Sequence, residues 1–365
     1  IGAQAYFQYS NLALLQMLSI TGMWGIVFLV GWFGPVVNYI WERGLAVKVV
    51  RRNSLIYALM MLAVLLYGGA RLAYAPQAAG TVRIHGFTAV DMRTEMLPKL
   101  HEAQQVSWQD YRQLSAETQD LYLAGTVREA RAGAQIVHWP EMAVNLLEED
   151  EADFLARAKK ITSEESIYLV MAYALTNRDD RPFDNKLLIL DPAGEVVLEH
   201  HKYGGADLDG AVPGDGVLRT VKTPYGILSG IICNDTNHEE VVAQAGKNQT
   251  DILFAPSMEL KAIDPIHAHM ATYRAIENGV TLVRQADNGL SIAVDPYGRV
   301  SATMDHFNNS ERVMVAKVPI LSTFTVYPYI GDLFAWLAIA GFGILLVVAV
   351  IQGRREKRSA GDPHA

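Results

Sequence analysis

The chain has 365 residues, 50% of them hydrophobic and 19% charged, with a formal net charge of −8 and a single cysteine. One cysteine excludes an intramolecular disulfide framework and any cysteine-rich zinc or iron–sulfur site. The acidic balance argues against a nucleic-acid partner, and an apolar excess gathered into three nearly uncharged stretches argues against a purely soluble protein.

The first stretch, Leu12 to Ile40, is long enough to cross a bilayer as a helix, and no charged n-region or cleavage site marks it as a signal peptide. A start at Ile1 rather than Met is expected of a processed chain or of one that continued upstream. The basic residues Arg43, Lys48, Arg51 and Arg52 follow, then a second apolar run from Leu55 to about Ala70. The third, Leu333 to Ile351, is 19 residues without a charge and leads into Arg354, Arg355, Lys357 and Arg358. The positive-inside rule puts both basic clusters in the cytoplasm and the polar middle on the opposite side. The expected organisation is two membrane helices with a basic loop over 1–74, an extracytoplasmic domain over 75–329, and a membrane helix with a basic tail over 330–365.

Within that domain, strand patterns are read at Thr81–Phe87, Ala134–His138, Ile167–Ala174, Lys186–Asp191, Glu195–His200, Ile227–Ile232, Ile252–Ala255, Val280–Gln285, Leu290–Val294 and Arg312–Val318. Helical periodicity covers Met96–Leu114, broken near Ser107, together with Glu148–Lys160 and Pro265–Asn278. The turns DPAGE (Asp191 to Glu195) and DPYGR (Asp295 to Arg299) predict β-hairpins. Alternating strands and helices predict a layered α/β domain.

Three apolar strand-type runs end on a residue capable of chemistry: AQIVHWPE on Glu141, VVLEHHK on Lys202 and GILSGIIC on Cys233. In α/β domains, sites collect at the C-terminal ends of strands. A thiol acts as a nucleophile only as thiolate, which a carboxylate base can generate, and an ammonium can hold the oxyanion formed on attack at a carbonyl. Taken singly, each has a plainer reading: an inert core cysteine, a solvated lysine, a carboxylate at a helix start. All three occurring in order, each at a strand end, favours a shared site. His267 and His269 read as solvated or capping residues, Arg274 and Glu277 as a structural helix pair, and His200 and His201 as one inward and one outward residue of a strand.

HWPEMAV around Glu141, HHKY around Lys202 and GIIC around Cys233 resemble the Glu–Lys–Cys motifs of the nitrilase (carbon–nitrogen hydrolase) superfamily, and ATYRAIENG with VRQADNGLSIAVDPYGRV resembles its later block. Within the superfamily, the flanking pattern at Gln8 to Val30 and Tyr327 to Leu337 is most similar to the membrane-embedded apolipoprotein N-acyltransferases. The resemblance implies a nitrilase-type α-β-β-α sandwich flanked by transmembrane helices, in a bacterial cytoplasmic (inner) membrane. It implies Glu141 as general base, Cys233 as nucleophile and Lys202 as oxyanion stabiliser. The implied substrates are a phospholipid acyl donor and a lipid-modified lipoprotein acceptor; no cofactor or metal is implied. The chain departs from that pattern between Lys202 and Cys233, where YGGADLDGAVPGDG lacks the family's loop glutamate and offers Asp207 or Asp209 instead. It departs again after Cys233, where Asn234 and Asp235 follow, Asp235 being a further auxiliary candidate, and at APSMELKAIDP (Ala255 to Pro265). Alternative readings are a membrane-tethered amidase and a degenerate member that only binds lipid or lipoprotein.

Overall fold

The computed structural model describes residues 3–43, 47–179, 181–204 and 210–360. One sheet contains β1 (Thr81–Phe87), β2 (Ile136–His138), β3 (Val144–Leu147), β4 (Tyr168–Thr176), β5 (Asp184–Leu190), β6 (Val196–His201) and β15 (Val313–Pro319). Its order is β15-β1-β2-β4-β5-β6, with β3 also paired to β4. The second contains β7 (Thr220–Thr223), β8 (Gly226–Gly230), β9 (Ile252–Phe254), β11 (Thr281–Arg284), β13 (Leu290–Val294) and β14 (Val300–Asp305), in the order β14-β13-β11-β9-β8-β7. Between them, β10 (Ser257–Met258) and β12 (Ala286–Asp287) form a short parallel pair.

The two sheets bury their facing sides against each other. Ile84, Ile136, Val170 and Leu187 of the first meet Leu228, Ile252, Phe254 and Val283 of the second in one apolar cluster. A Cβ on Gly230 would stand 2.6 Å from Leu187 Cδ2, so glycine is what lets the layers close there. The outer side of the first sheet is covered by helices Trp108–Arg131 and Glu151–Glu165, through Tyr122, Phe154 and Ala158 packed on Trp139, Leu169 and Tyr173. The outer side of the second is covered by Glu239–Lys247 and Ile266–Asn278, through Val241, Val242, Ala271 and Ala275. The result is the α-β-β-α sandwich. Strand β4 lies centrally with eight consecutive buried residues, which is why YLVMAYAL carries no polar alternation. Both expected hairpins form, β5–β6 around Asp191 to Glu195 and β13–β14 around Asp295 to Arg299.

We label the helices α1 (Met23–Glu42), α2 (Val47–Ala73), α3 (Leu97–Val106), α4 (Trp108–Arg131), α5 (Glu151–Glu165), α6 (Glu239–Lys247), α7 (Ile266–Asn278) and α8 (Leu333–Ala360). The expected break near Ser107 is real: its side chain accepts the Gln109 N–H and starts α4. Segments of α1, α2 and α8 are long and apolar enough to cross a membrane. The first apolar stretch, however, is not one helix from Leu12 to Ile40. Gly22 takes φ +59°, with the Tyr327 ring in the space a side chain would need, so the helix breaks and α1 begins at Met23. The preceding turns, Leu12–Leu15 and Leu18–Thr21, bury Leu14, Leu15 and Leu18 with Tyr273 and Ile276 of α7. Strands β1 and β15 pair antiparallel from Thr81↔Pro319 to Phe87↔Val313, so the chain enters from α2 and leaves towards α8 on neighbouring strands.

Candidate active site

Three strand ends place Glu141, Lys202 and Cys233 around one pocket of about 370 Å³. Glu141 follows β2 through Trp139 and Pro140, Lys202 directly follows β6, and Cys233 lies three residues past β8. The Glu141 carboxylate is fixed on both oxygens. Its Oε1 accepts from Lys202 Nζ at 2.7 Å and from Asn185 Nδ2 at 2.9 Å, and its Oε2 accepts from the Met258 N–H at 2.9 Å. Lys202 is itself held by its N–H to Asn185 O at 2.9 Å, so one asparagine positions both members of the ion pair.

Cys233 has φ +45° in a 3-10 turn, an uncommon conformation for a residue with a side chain, and its N–H donates to Pro256 O at 2.9 Å. From this turn Cys233 lines the pocket beside Glu141 and Lys202. Burial above all, and then the Glu141 charge, push the thiol up to about 12 against the smaller opposing pull of Arg284 and Lys202. The resting sulfur is therefore an S–H, and it ionises only as its proton is taken.

Asp235 is fully buried and serves as a brace. Its Oδ2 accepts from the Ile232 N–H and from His200 Nε2, and its Oδ1 accepts from the Tyr203 and Gly204 N–H groups, all within 2.8–3.0 Å. It ties the end of β6, where Lys202 sits, to the turn that carries Cys233. His200 points inward and His201 outward, as strand alternation requires. Asp207 and Asp209 lie outside the described residues.

A second carboxylate, which the strand-end pattern does not reveal, completes the pocket. Glu259, one residue past β10, places Oε1 4.0 Å from Cys233 Sγ. The same oxygen is bonded to the Arg284 guanidinium and lies 2.8 Å from His267 Nδ1. His267 is therefore not a solvated or capping residue. It is buried in the first turn of α7, facing the pocket, and desolvation lowers its pKa to about 4. The neutral ring donates from Nδ1 to Glu259 and presents Nε2 to Asn237 Nδ2 at 3.4 Å. Arg284 is fully buried at the end of β11. Cys233, Glu259 and His267 could on distance hold a metal ion, but the Arg284 guanidinium already supplies the positive charge beside Glu259. Arg274 and Glu277 do pair within α7, at 2.8 Å, but in the protein interior rather than at its surface.

Apolar side chains also line the pocket: Leu260, which is 49% exposed, and Ile263. The arrangement is a buried thiol, a cation-held carboxylate and apolar lining.

The carbon–nitrogen hydrolase family profile matches residues 101–323 of the chain. The chain belongs to the carbon–nitrogen hydrolase family. Among curated relatives, the apolipoprotein N-acyltransferase of Geobacter metallireducens is 23% identical over 94% of this chain and 68% of its own length. That of Rickettsia prowazekii is 24% identical over 93% and 69%. These alignments reach well beyond the hydrolase domain into the apolar flanks. An amidase from Nesterenkonia sp. AN1, solved with an acetamide adduct on its active-site cysteine, has a TM-score of 0.50 at 18% identity, covering 72% of this chain and 97% of its own; it shows the shared fold.

Proposed function

We propose that this protein is a membrane N-acyltransferase that moves a fatty acyl chain from a phospholipid, through a thioester on Cys233, to the N-terminal amine of a lipid-modified lipoprotein. The observation that carries the reading is the junction of a buried Glu141–Lys202–Cys233 pocket with apolar lining in a chain flanked by three apolar helices. The alignments to N-acyltransferases over more than nine-tenths of the chain support the substrate class. The basic clusters at Arg43 to Arg52 and Arg354 to Arg358 support a cytoplasmic membrane location with the catalytic sandwich on the outer side.

Glu141 takes the thiol proton as the sulfur attacks the ester carbonyl. Lys202 stabilises the oxyanion. As the tetrahedral adduct collapses, the proton passes from Glu141 to the departing alkoxide, and a lysophospholipid leaves. The amine then attacks the thioester carbonyl, Glu141 accepts its proton, the amide forms, and the thiolate is reprotonated from Glu141. The near-neutral imidazole of His267 and the Glu259–Arg284 pair hold the opposite wall in place without adding net charge beside the acyl carbonyl.

The test uses the full chain in detergent micelles with a phospholipid. Intact-mass measurement is expected to show an acyl adduct that maps to Cys233 and is discharged by a lipopeptide amine. No adduct on a protein whose Cys233 still reacts with thiol reagents would sink the acyltransferase reading. Discharge by water at the same rate with and without acceptor would make it a hydrolase.

A further inference from the structure

A second cluster of ionisable side chains lies at the end of β12, whose partner strand β10 lines the pocket through Met258. Asp91, Asp287 and His306 are each less than one-tenth exposed, and one ligand-capable atom from each lies within 4.8 Å of the other two. They arrive from separate parts of the chain: Asp91 caps the helical turn Met92–Met96, Asp287 ends β12, and His306 follows β14.

The partners of these groups leave a gap. Asp91 Oδ1 accepts from the Thr94 N–H at 2.8 Å and from Asn288 Nδ2 at 2.7 Å, and Asp287 Oδ2 accepts from the Arg93 N–H at 3.1 Å. The remaining oxygens, Asp91 Oδ2 and Asp287 Oδ1, lie 3.5 Å from His306 Nε2 and Nδ1 respectively. Asp287 Oδ1 and both ring nitrogens are buried and have no hydrogen-bond partner. Two carboxylates and an imidazole with unspent polar atoms turned to one another are costly to bury without a cation among them. The two 3.5 Å spacings involve different nitrogens of the ring, and a single ion takes only one of them, together with one oxygen from each carboxylate; three such atoms lie within 4.8 Å of one another.

We infer that Asp91, Asp287 and His306 bind one divalent first-row metal ion, with zinc the best match to two carboxylate oxygens and one imidazole. Two carboxylates balance its charge, and imidazole with carboxylate is a common donor set for zinc. His306 also lines a polar cleft of about 700 Å³ bounded by Phe87, Arg128 and Arg312, which provides an entry path and room for a water as fourth ligand. The ion's role is to set the wall beside the thiol. The Asp287 carbonyl accepts the Glu259 N–H at 2.8 Å, and the turn capped by Asp91 carries Arg93 into the pocket. The inference rests on this cluster alone and is independent of the reaction proposed above.

The experiment loads the detergent-purified full chain, without a polyhistidine tag, with Zn²⁺, desalts it and measures metal by mass spectrometry. One equivalent is expected in the wild type and in Cys233→Ala, falling by more than about tenfold in Asp287→Asn and in His306→Gln. Chelation is expected to lower the wild-type Tm. A wild type that retains no zinc overturns the inference and leaves His306 packed between the two aspartates without an ion. So does an equivalent that survives both cluster substitutions. An equivalent lost in Cys233→Ala also overturns it, because the ion then belongs to Cys233, Glu259 and His267. Asp91→Asn reads the same ligand set where another variant loses its fold.

Discussion

The thiol of Cys233 shares its pocket with two carboxylates, Glu141 and Glu259, whose other partners differ. Glu141 is held by a lysine, an asparagine and a backbone N–H. Glu259 is clamped by a fully buried guanidinium and a neutral imidazole, and its negative charge is spent on them. In the proposed reaction the first moves a proton and the second holds a shape. A carboxylate beside a nucleophile is thus not a base by proximity alone; its other partners decide.

The sharpest way to break this contrast is Glu141→Gln. It removes the base and leaves Lys202 buried opposite an amide, so thioester formation measured by intact mass is expected to fall by about 10³-fold. Because the Glu141 charge raises the thiol pKa, the same substitution is expected to shift Cys233 ionisation to lower pH, read as thiolate absorbance against a Cys233→Ala blank. Slower acylation by a more easily ionised sulfur separates loss of the base from loss of the nucleophile. Equal acylation by wild type and Glu141→Gln would remove the distinction between the two walls.

Glu259→Gln is expected to cost less, about 10²-fold in acylation, because it frees the Arg284 charge to act on the thiol and loosens His267 without deleting the proton acceptor. If its effect equals that of Glu141→Gln, the second wall is chemical and not structural. Asp235→Asn keeps the shape of the brace but halves its accepting capacity. We expect a stability loss of about 2 kcal/mol, seen as a lower Tm, with a smaller effect on the acylation rate of the folded fraction. The smallest change is in the apolar lining. Leu260→Ala removes partly exposed apolar surface and is expected to raise the KM for phospholipid by about threefold with kcat unchanged.

The proposed triad of strand ends was legible because each residue terminates a run of β-type residues, although the three runs fall in two different sheets. The family resemblance drawn from those same motifs agrees with the profile match over residues 101–323. Glu259 was hidden because it follows a two-residue strand, β10, too short for any periodicity to register. His267 was misread because α7 is buried on nearly every side, so that its first turn shows no polar face to mark which residues point inward. Strands β3 and β7 also escaped, β3 because its four residues are all buried and show no alternation, while β14 was implied only through the DPYGR hairpin because VSATMD lies at a sheet edge with a mostly exposed side. The break at Gly22 was invisible for a different reason: a glycine in an apolar run signals nothing until Tyr327, more than three hundred positions away in sequence, fills its side-chain space.

The Met23 N–H, at the start of α1, donates to Glu277 Oε1 at 3.2 Å, and Glu277 closes the helix whose opening turn presents His267 to the thiol. One rigid rod of thirteen residues thus joins the first membrane helix to the reaction centre. With α1 seated in a bilayer as proposed, that rod sets the height of the sulfur, and a tethered substrate has to bring its reacting carbonyl up to it.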